Sequence, residues 1–292
     1  NTPSASAETH TLLVQGLGGE AWYQRQFDEQ ADTIGEALKS VVGEPQLTIL
    51  RGSDANRQVV MDWFDGIAVN ADDDDSALVV LIGHGTFDDV EYKFNIPGPD
   101  LSFSDLQQGF SQINVPAKVL INTSSSSGAL LDALKEEPIT LLTATKNGRE
   151  RNATRFGRFF ARAFVETAAD LDKNQKISLQ EAFDYAERAT NDFYESEGLL
   201  ATEHAFLQQP GEGQIAGRMT LANLGSQDDS MQSPELIALF EQRDQLDLRI
   251  ESLRLRRIGM GEQDYEYVFQ ILMLDLIMVQ DEIDLLDGVN GE

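Results

Sequence analysis

Five short runs rich in Leu, Val and Ile, separated by longer amphipathic stretches, organise the first half of this chain. The runs cover residues 11–15, 46–50, 78–82, 118–121 and 139–143. They are nearly continuous in apolar character rather than alternating, as strands covered on both faces must be. The intervening stretches 24–41, 55–69, 104–112 and 129–135 read as helices, and 152–169 and 179–194 add two more. Strand and helix alternating in this way predict an α/β fold, a mostly parallel sheet sandwiched by helices.

Three of the strands run into loops of small residues: Gly16 to Gly19, Gly83 to Gly85, and Thr123 to Gly128. Ligands of open α/β sheets bind beyond the carboxyl ends of the strands, so these loops predict one cleft. No GxGxxG opens a helix there and no P-loop lysine follows, so neither dinucleotide nor nucleotide phosphate recognition is indicated.

Beyond about residue 198 the texture changes. Residues 208–230 are rich in Gln, Gly and Asp and read as a linker. Ser233 and Pro234 then supply an N-cap and a first helical position. Leu239, Leu246 and Leu253 recur every seven residues beside Leu236 and Ile250. Gly259 and Gly261 interrupt the pattern, and Tyr265, Leu272, Val279 and Leu286 resume it with Phe269, Leu276 and Ile283 alongside. Two heptad helices joined by a glycine turn make an antiparallel hairpin. The expected organisation is a flexible N-terminus (1–10), an α/β domain (11–207), the linker (208–230) and the hairpin (231–289). The hairpin either packs on its own domain or serves as a dimerisation or docking arm, which leaves a homo-oligomer as one expected assembly.

Charge and cysteine content narrow the chemistry. Fifty acidic against 22 basic residues leave a net charge of -28. Such a chain repels phosphate backbones and anionic membranes, so no nucleic-acid partner is expected. There is no cysteine, which removes disulfides, thiolate metal sites and a thiol nucleophile together. No apolar run approaches the roughly 18 residues of a transmembrane helix. A start at Asn1 without Met fits a mature chain after signal-peptide removal, periplasmic or secreted, or a trimmed one.

Several segments carry a family resemblance. Residues 77–85, ending in Gly83, His84 and Gly85, resemble the strand and His-Gly pair of the caspase/legumain clan. Residues 12–23, ending in Trp22 and Tyr23, resemble the opening strand and Trp-Tyr loop of the legumain family, and Glu29 to Asp32 and 96–106 also resemble it. Residues 118–128 fall where that family carries its nucleophile strand and a Cys-x-Ser-Gly motif. Matching Ser127 and Gly128 to the motif puts Ser125 in the cysteine position, with Ser124 as the alternative if the register slips by one. Residues 141–152 are similar to the next strand and its loop. The likeness covers about residues 11–170 and leaves the hairpin outside.

The resemblance implies a cysteine-peptidase fold in which His84 manages protons and backbone N–H groups near Gly85 and Ser125 hold the oxyanion. A serine hydroxyl needs a tightly coupled base, itself oriented by an acid. The expected protein is therefore an inactive peptidase homologue that binds a peptide or protein. Open beside it stand a working hydrolase, with Asp88 or Asp89 orienting His84, and an engineered cysteine-to-serine form of an active enzyme. The legumain-like preference for Asn or Asp implies a basic subsite, for which Arg25, Arg149 and Arg151 are candidates. Arg155 reads as a surface residue, and His10 and His204 as structural or solvated.

One further motif stands apart. Asp170, Asp172, Asn174, Lys176, Ser178 and Glu181 fit the ligand spacing of an EF-hand Ca2+ loop between two helices. Gln175 replaces the usual turn glycine. Ser178 and Glu181 also form a capping box for the following helix, which needs no metal. The run Asp72 to Asp75 lacks ligand spacing and reads as a solvated turn.

Overall fold

The computed structural model describes residues 7–210, 215–224 and 257–290, together with 238, 239, 242, 243, 245, 246, 249, 250, 253 and 254. The chain divides into two compact units, Asn1–Ser226 and Gln227–Glu292.

In the first unit, β1 (Thr9–Gln15), α1 (Ala21–Val42), β2 (Leu47–Leu50), α2 (Arg57–Asn70) and β3 (Ser76–Ile82) open the chain. A small antiparallel sheet follows, β4 (Gly85–Phe87), β5 (Tyr92–Phe94) and β6 (Leu101–Ser102). Then come α3 (Phe103–Gln112), β7 (Ala117–Asn122), α4 (Ala129–Ala133), β8 (Thr140–Thr143), α5 (Phe156–Ala163), β9 (Lys176–Ser178), α6 (Leu179–Ser196), β10 (Phe206–Gln208), α7 (Ile215–Arg218) and β11 (Thr220–Asn223).

The principal sheet has the order β10-β8-β7-β3-β1-β2, parallel except for β10. The fold is thus α/β with a mostly parallel sheet flanked by helices. Side chains alternate across a strand. Leu12, Val14, Val79, Leu81, Leu120 and Leu141 join one core with Val60 and Phe64 of α2 and Leu106 and Phe110 of α3. Leu13, Val80 and Ile121, also fully buried, turn to the other face, where α1 packs with α5 and α5 with α6. Burial on both faces accounts for the unbroken apolar runs. The sheet grows outward in both directions from β1 and β3, so the carboxyl ends of these neighbours form its topological switch point.

Several expectations need correction. Residues 208–210 and 215–224 are not linker, and 211–214 lie outside the described residues. β10 extends the sheet along β8, and β11 pairs with β9, burying Ala216, Leu221 and Ala222. Residues 225–230 lie outside the described residues. The N-terminal boundary also moves, since Thr9 and His10 already pair with Ser76 and Ala77. The helix expected over 152–169 shrinks to α5 plus a 3-10 turn at Thr167–Ala169. Asp75 is buried, accepting the Glu8 and Asp72 N–H groups and pairing with His10 at 2.9 Å, so it is not a solvated turn residue.

In the second unit the described positions from 238 to 254 are helical, and α8 (Glu262–Asn290) follows. Leu239, Leu246, Ile250 and Leu253 are buried, as are Leu272, Leu276, Val279 and Ile283 of α8, at the heptad positions. Arg243 lies beside Gln280, Arg254 over Phe269 and Arg257 over Tyr265. As one number rises the other falls, so the pair is an antiparallel hairpin. Leu236 and the cap at Ser233 and Pro234 lie outside the described residues.

Candidate active-site cleft

His84 leaves the end of β3 at the switch point. It is half-buried between Tyr23 and Phe27, one helical turn apart on α1, with ring centroids at 4.7 and 5.0 Å in edge-on contact. Its Nε2 lies 3.2 Å from the Gly18 carbonyl oxygen. A carbonyl only accepts, so Nε2 carries the proton of the neutral ring and Nδ1 is the free acceptor. Burial lowers the pKa of His84, outweighing the opposing effects of the Gly18 carbonyl and Glu20. Burial thus favours the neutral ring.

The serine run leaves the end of β7, the neighbour of β3. Ser125 Oγ donates to the Gly85 carbonyl at 2.9 Å and receives the Gly85 N–H at 3.3 Å. Ser124 Oγ is held by Tyr92 Oη at 2.7 Å, which also takes the Asn122 amide at 2.9 Å. Burial pushes the Tyr92 hydroxyl up to about 12, so it stays protonated. Ser127 Oγ receives the Ala144 N–H, and Gly128 N donates to Thr145 Oγ1. Gly128 is close-packed, because a Cβ there would stand 2.2 Å from Asn147 N.

Ser126 has a left-handed backbone (φ 58°), a conformation costing about 1–2 kcal/mol for a residue with a Cβ. Its N–H is held by the Glu150 carbonyl at 2.9 Å, and its buried Oγ has no hydrogen-bond partner among the described residues. Glu150 in turn accepts from Lys146 N and His204, whose Nδ1 lies at 2.6 Å. His204, just before β10, thus braces the loop that holds the serine run.

The structure therefore brings His84, Gly85, Ser124 and Ser125 to adjacent strand ends. It does not couple His84 to Ser125 by a hydrogen bond. Asp88 caps the turn at Val90 and Glu91, and Asp89 pairs with Arg151 at 3.2 Å, so neither orients His84. Arg149 and Arg151 flank Glu150, and Gly148 of the same loop packs on Phe87. Both residues thus lie on the loop beside the serine run, with the Arg151 guanidinium engaged by Asp89. Arg25 lies two residues from Tyr23 and Phe27, off the face that meets His84, and stacks on Trp22 at 5.5 Å. Arg155 is no surface residue: it is buried against Glu203 (3.7 Å) and Tyr194 (2.9 Å). Tyr23, Phe27, Tyr92 and Glu150 had no local sequence signal for these roles, because each acts through a distant partner.

At 170–181, oxygens of Asp170, Asp172 and Glu181 lie within 4.8 Å of one another. Asp170 accepts from the N–H groups of Asn174 and Gln175, and Asn174 Oδ1 from Lys176 N. Lys173 and Gln175 take positive φ (60° and 63°), the turn that glycine would make without strain. Glu181 meanwhile serves the capping box with Ser178 and accepts from Leu171 N at 3.0 Å.

Compared with known proteins, the chain matches no protein-family model and no curated protein sequence.

Proposed function

We propose that the protein is a caspase/legumain-like peptidase homologue that binds a peptide or protein segment in the cleft without cleaving it. One observation carries this reading: Ser125 Oγ and the Gly85 backbone satisfy each other. The hydroxyl at the nucleophile position donates away from His84, and the N–H suited to an oxyanion is spent on that hydroxyl. Serine catalysis needs the opposite arrangement, a hydroxyl bonded to its base and free donors facing the substrate. Ser125 is also only 4% exposed. The fold, the switch-point location and the order of the quoted motifs support the peptidase ancestry. Exposed Arg149 on the neighbouring loop, beside the Arg151–Asp89 pair, offers an acidic peptide group a place to bind.

The test is cleavage of a mixed peptide library by the native chain, Ser125→Cys, and Ser125→Cys with His84→Ala. The expected result is an inert native chain and His84-dependent cleavage by Ser125→Cys. Cleavage by the native chain that is lost in His84→Ala would overturn the reading in favour of a serine hydrolase.

A second reading concerns Ca2+ at residues 170–181, favoured by the converging oxygens of Asp170, Asp172 and Glu181. Asn174, the Lys176 carbonyl and Ser178 complete the donor set, which suits a hard cation. A melting temperature raised by Ca2+ in the native chain and not in Asp172→Ala supports it. Identical melting with and without Ca2+ refutes it.

A further inference from the structure

Helix α8 buries one stripe and exposes a second. Tyr267, Ile271, Leu274, Met278 and Leu285 are 41–69% exposed and follow one another at steps of four, three, four and seven residues. That spacing sets them on one line, opposite the buried Leu272, Leu276, Val279 and Ile283. Between Tyr267 and Gln280 the sole charge is Asp275. A helix apolar on nearly all sides belongs between two layers, yet among the described residues only one side of this stretch is buried.

The charges around the stripe say what fits it. Helix α8 contains no Lys or Arg. By helical spacing, exposed Asp264, Asp275 and Glu282 border the stripe along one side, and Glu266 and Asp281 lie toward the other. The rim of the groove beside Met278 carries Asp275 and Glu282 with one cation, Arg249. A second copy would bring a matching acidic helix. Of its described arginines, 243, 254 and 257 are already engaged within the hairpin, with Gln280, Phe269 and Tyr265, which leaves Arg249 alone against the five carboxylates that border the stripe. An apolar stripe bordered by carboxylates is complementary to an amphipathic helix whose apolar face is flanked by Lys or Arg. We propose that the exposed stripe of α8 is a docking surface for a basic amphipathic helix of a partner protein. This surface is independent of the cleft reading.

The test titrates the full chain with a labelled synthetic peptide carrying leucines at heptad a and d positions and lysines elsewhere. A peptide of the same composition in scrambled order is the control. Leu274→Gln with Met278→Gln removes apolar contact without adding charge, and both positions are exposed, so the hairpin core is untouched. The expected loss of affinity is about tenfold or more. Asp264→Asn, Asp275→Asn and Glu282→Gln together should weaken binding and flatten its salt dependence, while His84→Ala leaves it unchanged. Equal affinity for the scrambled peptide, or no loss in Leu274→Gln/Met278→Gln, would overturn the proposal. So would a native dimer that this double variant converts to monomer, which would assign the stripe to a second copy.

Discussion

Ser125 and Gly85 form a closed pair: the serine hydroxyl donates to the glycine carbonyl at 2.9 Å and accepts the glycine N–H at 3.3 Å. A fluorophosphonate needs an activated hydroxyl, and this one has no base on it. The native chain should remain unlabelled when incubated with such a probe and read by intact mass. Stoichiometric labelling at Ser125 would show that the hydroxyl is activated in solution.

Gly85 is fixed by space as well as by hydrogen bonds. A Cβ there would stand 2.5 Å from both Ser124 Oγ and the Ser125 carbonyl oxygen, and 2.7 Å from Tyr92. Backbone cannot yield as a side-chain tip can, so Gly85→Ala should destabilise the first unit by about 1–3 kcal/mol. Chemical denaturation followed by tryptophan fluorescence reads this directly, because both tryptophans, Trp22 and Trp63, lie in that unit. An unchanged midpoint would mean that the serine loop is looser than its contacts indicate.

Asp75 ties the start of β3 to the start of β1. Burial pushes its carboxyl up, but the Glu8 and Asp72 N–H groups and His10 outweigh that and hold its pKa below the usual value. A depressed carboxyl pKa contributes stability above the unfolded value, about 3.9, and loses it as pH falls through the folded value. Asp75→Ala should therefore cost about 2–3 kcal/mol at pH 7. The gap to the native chain should close below pH ~4. A gap independent of pH would show that packing, not charge, is what Asp75 supplies.

The buried pair of Arg155 and Glu203 joins the start of α5 to the segment leading into β10. Burial raises the Glu203 pKa against the Phe156 and Arg155 N–H groups and the Arg155 charge, which favour the ionised form. Removing one partner strands the other, so Glu203→Ala should cost about 3–5 kcal/mol. Glu203→Ala with Arg155→Met, which leaves no orphaned charge, should recover part of that loss. Urea unfolding of the single and double variants decides it, and equal losses in both would discount the orphaned charge.

The residues differ in how visible these arrangements were. The central strands were legible because a parallel strand covered on both faces must be apolar throughout, as Leu12, Leu13 and Val14 are. The hairpin was legible from heptads, and the capping box of Ser178 and Glu181 from a three-residue spacing. These are local periodicities, and a chain displays them without folding. The three-residue strands β4, β5, β9 and β10 show no such period; they exist because a neighbouring strand offers unpaired backbone groups. The resemblance implies that His84 and Ser125 share one site; in the fold they stand at adjacent strand ends, with His84 bonded to Gly18 and Ser125 to Gly85. Arg155 and Asp75 look like surface residues until Glu203, His10 and two backbone N–H groups close around them. By itself the sequence determined the central strands, the heptad hairpin and the Ser178 cap, since these follow from neighbours along the chain. Only the tertiary structure decided which polar groups are buried and what each one faces, because those partners lie tens of residues away.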